Sequence, residues 1–391
     1  MSPVRTPEAM MGARPFKIDI PDEELEDLAR RLEATRWPDE VKGAGWEYGT
    51  DPGFMKELAD YWQHEYDWRT REAELNRFAQ FTAELDGMEV HFVHERGRGP
   101  EPIPLILTHG WSGSFYEFYK LIPLLTDPAG RDGRSFDLVV PSMPGFGFSA
   151  RPDEPGWDIG RTADLWHTLM TDVLGYERYA AGGTDWGSGV SRLLGARYPE
   201  ALTGIYLFNF AYPDFTPGQD ALPDLTYAER AYLEGTEGWL WTPGAAYAIV
   251  QSNRPQTLAY GLNDSPVGLA AWLLDKFRDL CDCDGDLSTR FTRDELITSV
   301  MIYWLTETAG SAARTYFENT FATPVLAPGE RIEVPVGAGI FTRHVGIPRE
   351  YAERSMNVQH WTEIPRGGHF GAMEEPELLA GDIRAFFWSI M

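Results

Sequence analysis

Apolar residues along this chain follow two rhythms. Short, nearly unbroken apolar runs bounded by Gly, Pro or Asp predict buried strands at 88–94, 105–107, 136–140, 179–183, 202–210, 332–341 and 358–364. Apolar residues three and four apart predict helices at 21–36, 188–198, 267–277 and 377–387. The first of these places Leu25, Leu28 and Leu32 on one side and acids in its first turn; the third lines up Leu269, Trp272, Leu273 and Phe277. Strand and helix signals alternate through 87–212 and again through 327–391, an α/β pattern with a mostly parallel central sheet flanked by helices. Between 213 and 326 the strand rhythm stops and helical periodicity takes over, which predicts an inserted helical lid. Residues 1–86, with Trp46 and Tyr48 among them, are expected to form an N-terminal meander of helical and irregular stretches.

The chemistry concentrates at Gly183-Thr184-Asp185-Trp186-Gly187-Ser188, which joins the 179–183 strand to the 188–198 helix. That corner is where a nucleophile elbow presents its reactive side chain, and here it carries a carboxylate instead of a hydroxyl. A serine that attacked an epoxide or alkyl halide would form an ether, which water does not cleave. A carboxylate forms an ester that is hydrolysed afterwards, so Asp185 points to displacement at saturated carbon. A surface turn can also hold Gly-x-Asp-x-Gly, and three further segments weigh against that. His109-Gly110-Trp111 follows the 105–107 strand, where the second oxyanion amide arises, so the backbone N–H groups of Trp111 and Trp186 are expected to share one oxyanion. Pro144-Gly145-Phe146-Gly147-Phe148-Ser149 turns sharply after another strand. Gly367-Gly368-His369 lies on a loop near the C-terminus, and the order nucleophile then histidine is that of an α/β-hydrolase fold, with His369 as base.

From about Phe16 to the C-terminus the chain resembles epoxide hydrolases of the microsomal and juvenile-hormone type. The resemblance is carried by 16–38, His109-Gly110-Trp111, Pro144 to Ser149, Gly183 to Ser188, Asn263 to Ala271 and Arg366 to Phe387. It implies two lid tyrosines, Tyr247 and Tyr316, that hold the epoxide oxygen. A phenol suits that task because it shares its proton with a developing alkoxide yet stays protonated at neutral pH. The implied reaction opens an epoxide to a vicinal diol through a covalent Asp185 ester, which water activated by His369 then hydrolyses. No cofactor and no metal are implied. A haloalkane dehalogenase also uses an elbow aspartate, but a halide leaving group needs no phenolic proton. A homologue that binds ligands with impaired catalysis is the other alternative.

Two departures from the family pattern stand out. Ser112 replaces the proline of His-Gly-Trp-Pro, which removes the residue that eases a cis peptide after Trp111. His344 occupies the position of the acid that orients the histidine, and Asn209 the other position at which such folds place it. Neither is charged. Glu333, Glu350 and Glu363 are substitute acids in the region, and the relay member stays unassigned.

Composition bounds the size and the setting of the protein. The 391 residues, 43% hydrophobic and 24% charged, suffice for a large core with attached segments. A formal charge of −26 argues against nucleic acid or an anionic membrane as partner. No apolar run is long enough to span a bilayer, and residues 1–14 lack the apolar core of a signal peptide, so a cytoplasmic protein is expected. Only five lysines occur, against many arginines, a hint of a GC-rich bacterial genome. Cys281 and Cys283 are too close in sequence for a good disulfide, which fits reducing surroundings. Asp282-Cys283-Asp284-Gly285-Asp286 imitates a calcium loop but lacks acids at both end positions, and is expected to be a solvated lid loop. The expected partner is a small-molecule epoxide, with a homodimer allowed. An aromatic-rich lid suggests a bulky apolar or aromatic substrate, for instance a polycyclic intermediate of bacterial secondary metabolism.

Overall fold

The computed structural model describes residues 12–127, 134–208, 225–239, 241–320, 326, 330–341, 343 and 347–391. Its strands are β1 (Ala13–Phe16), β2 (Gln80–Leu85), β3 (Met88–Glu95), β4 (Ile103–Thr108), β5 (Phe136–Pro141), β6 (Tyr179–Gly183), β7 (Leu202–Phe208), β8 (Ile332–Phe341) and β9 (Met356–Ile364). They form one sheet in the order β1-β2-β3-β5-β4-β6-β7-β8-β9. Pairing is antiparallel from β1 to β5 and parallel from there to β9. Leu105, Ile106, Leu107, Leu138, Val139 and Val140 are fully buried, as strands covered by helices on both faces require.

This order fixes where chemistry can occur. From β4 the chain passes to β5 on one side and later returns to β6 on the other, so the carboxyl ends of β4 and β6 diverge at a topological switch point. Crevices form there because the connections leave in opposite directions. The β4 end leads into His109-Gly110-Trp111 and the β6 end into Asp185.

The first 86 residues hold more than the expected meander. Helices Asp22–Glu33, Pro52–His64 and Trp68–Leu75 are present, yet β1 and β2 extend the sheet. Asp86 and Gly87, both at positive φ (49° and 76°), close a two-residue turn that pairs Leu85 with Met88. Such turns match the twist of the strands they join. The sheet therefore starts before β3.

From Tyr227 to Thr320 the described chain is helical: Tyr227–Trp239, Ala246–Asn253, Pro255–Leu262, Pro266–Leu280, Arg293–Leu305 and Ala309–Thr320. Local sequence sets their starts. Ser265 caps the Gly268 amide with Pro266 in the first turn, and Thr292 with Glu295 forms a reciprocal capping box. No helix among the described residues is long and apolar enough to cross a membrane.

Candidate active site

Asp185 sits between β6 and the helix Trp186–Arg197 with φ 50° and ψ −125°, a conformation costly for any residue with a Cβ. Small neighbours make the corner possible. A Cβ on Gly187 would lie 2.0 Å from the Thr108 carbonyl oxygen, and one on Gly110 would lie 2.2 Å from Asp185 Oδ1. The sequence spacing of glycines thus follows from backbone packed directly on backbone. Asp185 Oδ1 accepts a hydrogen bond from the Trp111 amide at 3.0 Å, and the Trp186 amide also donates to this carboxylate. Both expected amides therefore meet on one side chain. Burial pushes the carboxyl up to about 6 against the pull of those two amides. At neutral pH it is still ionised.

His369 faces the other oxygen, with Nε2 3.8 Å from Asp185 Oδ2. Burial pushes its imidazole down to about 4, so it is a neutral base at pH 7. The loop that carries it is tied down on both sides. His369 N donates to Leu280 O at 2.8 Å, and Gly367 N donates to Asp282 Oδ2 at 3.0 Å. Glu374, in the short helix after the histidine, accepts from the amides of Gly368 (3.1 Å), Phe370 (3.1 Å) and Asp282 (2.7 Å). Burial raises Glu374 to about 7 although these amides pull it down.

The expectation of a merely solvated loop around Asp282 is therefore corrected. Asp282 is partly buried, pairs with Arg290 at 2.7 Å, and joins the end of the lid helix Pro266–Leu280 to the histidine loop. Its neighbours Asp284 and Asp286 remain exposed.

Tyr247 and Tyr316 come together although 69 positions of chain separate them, on the helices Ala246–Asn253 and Ala309–Thr320. Their hydroxyls share a hydrogen bond and their rings meet edge to face at 5.8 Å. Trp111 stacks on Tyr247 at 4.8 Å, and Trp186 meets Tyr316 at 5.0 Å. The two residues whose amides hold Asp185 thus carry the side chains on which the phenols rest. Burial, reinforced by the Asp185 charge, raises the Tyr247 phenol above its ordinary range, so it keeps its proton at neutral pH. Lys276, itself buried, lies 5.4 Å over the Tyr247 ring.

A cleft of about 240 Å³ opens beside these groups, lined by Trp186, Tyr316, Ala248, Ile249, Ser252 and Asn319, among others. A larger cavity of about 690 Å³, between the N-terminal helices and the turn Phe115–Phe118, touches neither Asp185, His369, Tyr247 nor Tyr316. The smaller cleft reaches Tyr316 and Trp186, the residue after Asp185. The lid aromatics divide accordingly. Tyr247 and Tyr316 are buried at the site and Trp239 meets Tyr247 at 6.4 Å, while Trp241 and Tyr260 face solvent.

The Trp111–Ser112 peptide is cis, with serine in place of the family's proline. His344 and Asn209 lie outside the described residues. Glu333, Glu350 and Glu363 are exposed, and Glu350 is hydrogen-bonded to Thr226, so none has the surroundings of a partner for a buried imidazole. Two acids near the site escape sequence reasoning, the half-buried Glu374 and the buried Glu117. For Glu374 a signal existed, an acid five positions after the histidine in a helix-opening segment; for Glu117, flanked by aromatics, there was none.

Sheet order, elbow and C-terminal histidine together define an α/β-hydrolase, and residues 103–240 match the alpha/beta hydrolase fold family. Residues 13–118 match the family described as Epoxide hydrolase N terminus. A homologue from Stigmatella aurantiaca (strain DW4/3-1) is 41% identical, over 96% of this chain and 85% of its own length. Epoxide hydrolase 1 of Sus scrofa is 35% identical over 95% of this chain and 88% of its own. The structure of Aspergillus niger epoxide hydrolase superposes with a TM-score of 0.84 at 31% identity, covering 98% of each chain. The chain belongs to the epoxide hydrolase family, and the protein is a hydrolase.

Proposed function

We propose that Asp185 opens the epoxide by direct attack and that His369 then drives hydrolysis of the resulting ester. Oδ2 is the attacking oxygen, since Oδ1 is held by the Trp111 amide. Tyr247 and Tyr316 donate to the ring oxygen as its bond to carbon breaks; one phenol gives up its proton, which leaves a hydroxyalkyl ester on Asp185, and regains a proton from the Asp185 carboxyl once the ester is hydrolysed. The 3.8 Å between His369 Nε2 and Oδ2 exceeds a direct hydrogen bond and suits a base that takes its proton from water. That water attacks Asp185 Cγ, and the oxyanion forms on Oδ1, already held by the Trp111 amide, with the Trp186 amide donating to the same carboxylate. Donors of this kind contribute about 3–4 kcal/mol each in comparable acyl chemistry. The diol then leaves.

The observation that carries this reading is the three-sided environment of one largely buried carboxylate: the Trp111 amide on Oδ1, imidazole toward Oδ2, and the Tyr247 phenol within reach of its charge. Protonation states agree with it, because a carboxyl near 6 and an imidazole near 4 are nucleophile and free base at neutral pH.

The aromatic walls Trp111, Trp186, Tyr247 and Tyr316 and the apolar mouth at Ala248 and Ile249 support a bulky apolar or aromatic epoxide as substrate. The same proposal includes a cytoplasmic bacterial setting in secondary metabolism, for which the arginine-rich composition is the support. The deciding experiment is a single turnover of styrene oxide in heavy-oxygen water, with mass spectrometry of the Asp185 peptide and of the diol. Label is expected first in the Asp185 carboxylate, with the first diol unlabelled. Label in that first diol would mean that water had attacked the epoxide itself.

A further inference from the structure

Glu117 lies in the turn Phe115–Phe118, four residues beyond Gly113 in the loop that supplies the Trp111 amide. It is buried, and the mechanism above gives it no task. Its Oε2 packs on the loop backbone, 2.5 Å from where a Cβ on Gly113 would stand. Its Oε1 has no hydrogen-bond partner among the described residues, nor does any cation there pair with it. The charges of Asp185 and Glu374 both act on it, so it is within electrostatic reach of the nucleophile and of the helix that fixes the histidine loop. Tyr303, whose hydroxyl donates to Gly113 O at 2.5 Å, feels Asp185 and Glu117 together. Burial, with the charges of Asp185 and Glu374, pushes the Glu117 carboxyl well above its ordinary range and so favours its neutral form.

A polar group buried at a cost and left with an open hydrogen-bonding atom beside a reactive centre needs a reason to be there. Packing alone would be served better by leucine. The first chemical stage has no use for Glu117, because the phenols serve the departing oxygen and the amides hold the Asp185 carboxylate. The second stage adds one reactant that none of these groups holds. A neutral carboxylic acid both donates and accepts, which suits it to a water molecule.

We propose that Glu117 is a positioning residue for the water that hydrolyses the Asp185 ester; the inference rests on the covalent reading given above. The water oxygen bonds to Asp185 Cγ and one of its protons passes to His369 Nε2. The bond from Cγ to the alkyl oxygen then breaks, and the departing alkoxide takes that proton back. Glu117 keeps its own proton throughout and sets only where the water stands.

The test is rapid-quench single turnover of styrene oxide, with the Asp185 peptide weighed at each time point, on Glu117→Gln, Glu117→Asp and Glu117→Leu. Glutamine preserves both hydrogen-bonding functions, aspartate withdraws them by one methylene, and leucine removes them. Alkylation is expected within about threefold of the unaltered protein in all three, whereas hydrolysis falls on the order of 10²-fold in the Asp and Leu variants and is largely rescued in Gln. The alkylated enzyme then accumulates. Unchanged hydrolysis in Asp and Leu overturns the proposal, as does loss of alkylation alongside hydrolysis in both, since either leaves Glu117 a structural residue. If the unaltered protein forms no Asp185 ester at all, the covalent reading fails; an intact ester cycle indifferent to residue 117 sinks this inference alone.

Discussion

The core and the lid both contribute to the site, but they hold their side chains by different means. In the core, Asp185 is placed by backbone: a positive-φ corner, glycines pressed against carbonyl oxygens, and two amides on its carboxylate. In the lid, Tyr247 and Tyr316 are placed by ring packing on Trp111, Trp186 and each other. Backbone placement tolerates almost no substitution, because a Cβ has nowhere to go. Ring packing tolerates loss of a hydroxyl, because the aromatic contacts remain. On the proposed mechanism, the group that forms the covalent bond is thus rigidly fixed, and the groups that stabilise the departing oxygen can be varied.

Substitutions should separate the two regions by size of effect. Asp185→Asn is expected to lower turnover by about 10⁴-fold or more, the scale of losing a nucleophile, with the far-UV circular dichroism unchanged. Retained turnover, with label entering the diol directly, would remove the core from the chemistry. His369→Gln should leave alkylation nearly intact and slow hydrolysis by about 10²–10⁴-fold, read as a stable mass increase on the Asp185 peptide. In the lid, Tyr247→Phe and Tyr316→Phe should each cost about tenfold in alkylation and the double variant about 10²–10³-fold, because either phenol partly covers for the other. A single substitution as damaging as the double would show that the two do not share one oxygen.

Acidity offers a finer division. Asp185 must be ionised to attack, so alkylation should fall about tenfold per pH unit below about 6 and stay level above it. Tyr247, raised by burial, should add no alkaline limb near neutrality. The smallest effect concerns stability. Because burial raises the Asp185 carboxyl from 3.8 to about 6, the folded state binds its proton more tightly than the unfolded one, and this favourable contribution is lost as pH rises through that window. Asp185→Asn should therefore be more stable than the unaltered protein by about 2–4 kcal/mol at pH 7, with the gain gone below about pH 4. The His369 imidazole, lowered by burial, has the opposite slope and loses its contribution as pH falls toward about 4. Urea midpoints of both proteins across pH 4–7 check the sign.

The strands at the centre of the sheet were legible because burial on both faces leaves continuous apolar runs, and β6 and β8 have the predicted limits. The elbow was legible because backbone crowding dictates where glycines fall. β1 was not, since Ala13-Arg14-Pro15-Phe16 is a four-residue edge strand whose pairing partner lies at 80–83. β2 carried a readable signal, the Asp86-Gly87 turn. Tyr247 and Tyr316 were found only through family resemblance, because nothing local distinguishes them from fifteen other tyrosines. Glu117, Glu374 and Asp282 owe their surroundings to segments remote in the chain, and a local pattern assigns such acids to solvent.

The tether between the end of the lid helix Pro266–Leu280 and the histidine loop bears on how this scaffold can be re-engineered. Leu280 and Asp282 reach across to His369 and Gly367, while Phe277 stacks on Phe370 at 4.0 Å. A chimaera that imports a foreign roof to accept new substrates would keep or forfeit the alignment of the His369 loop at the graft seam. Cap swapping here is modular only when the graft leaves Phe277 to Asp282 in place, so that both halves of the clasp stay matched.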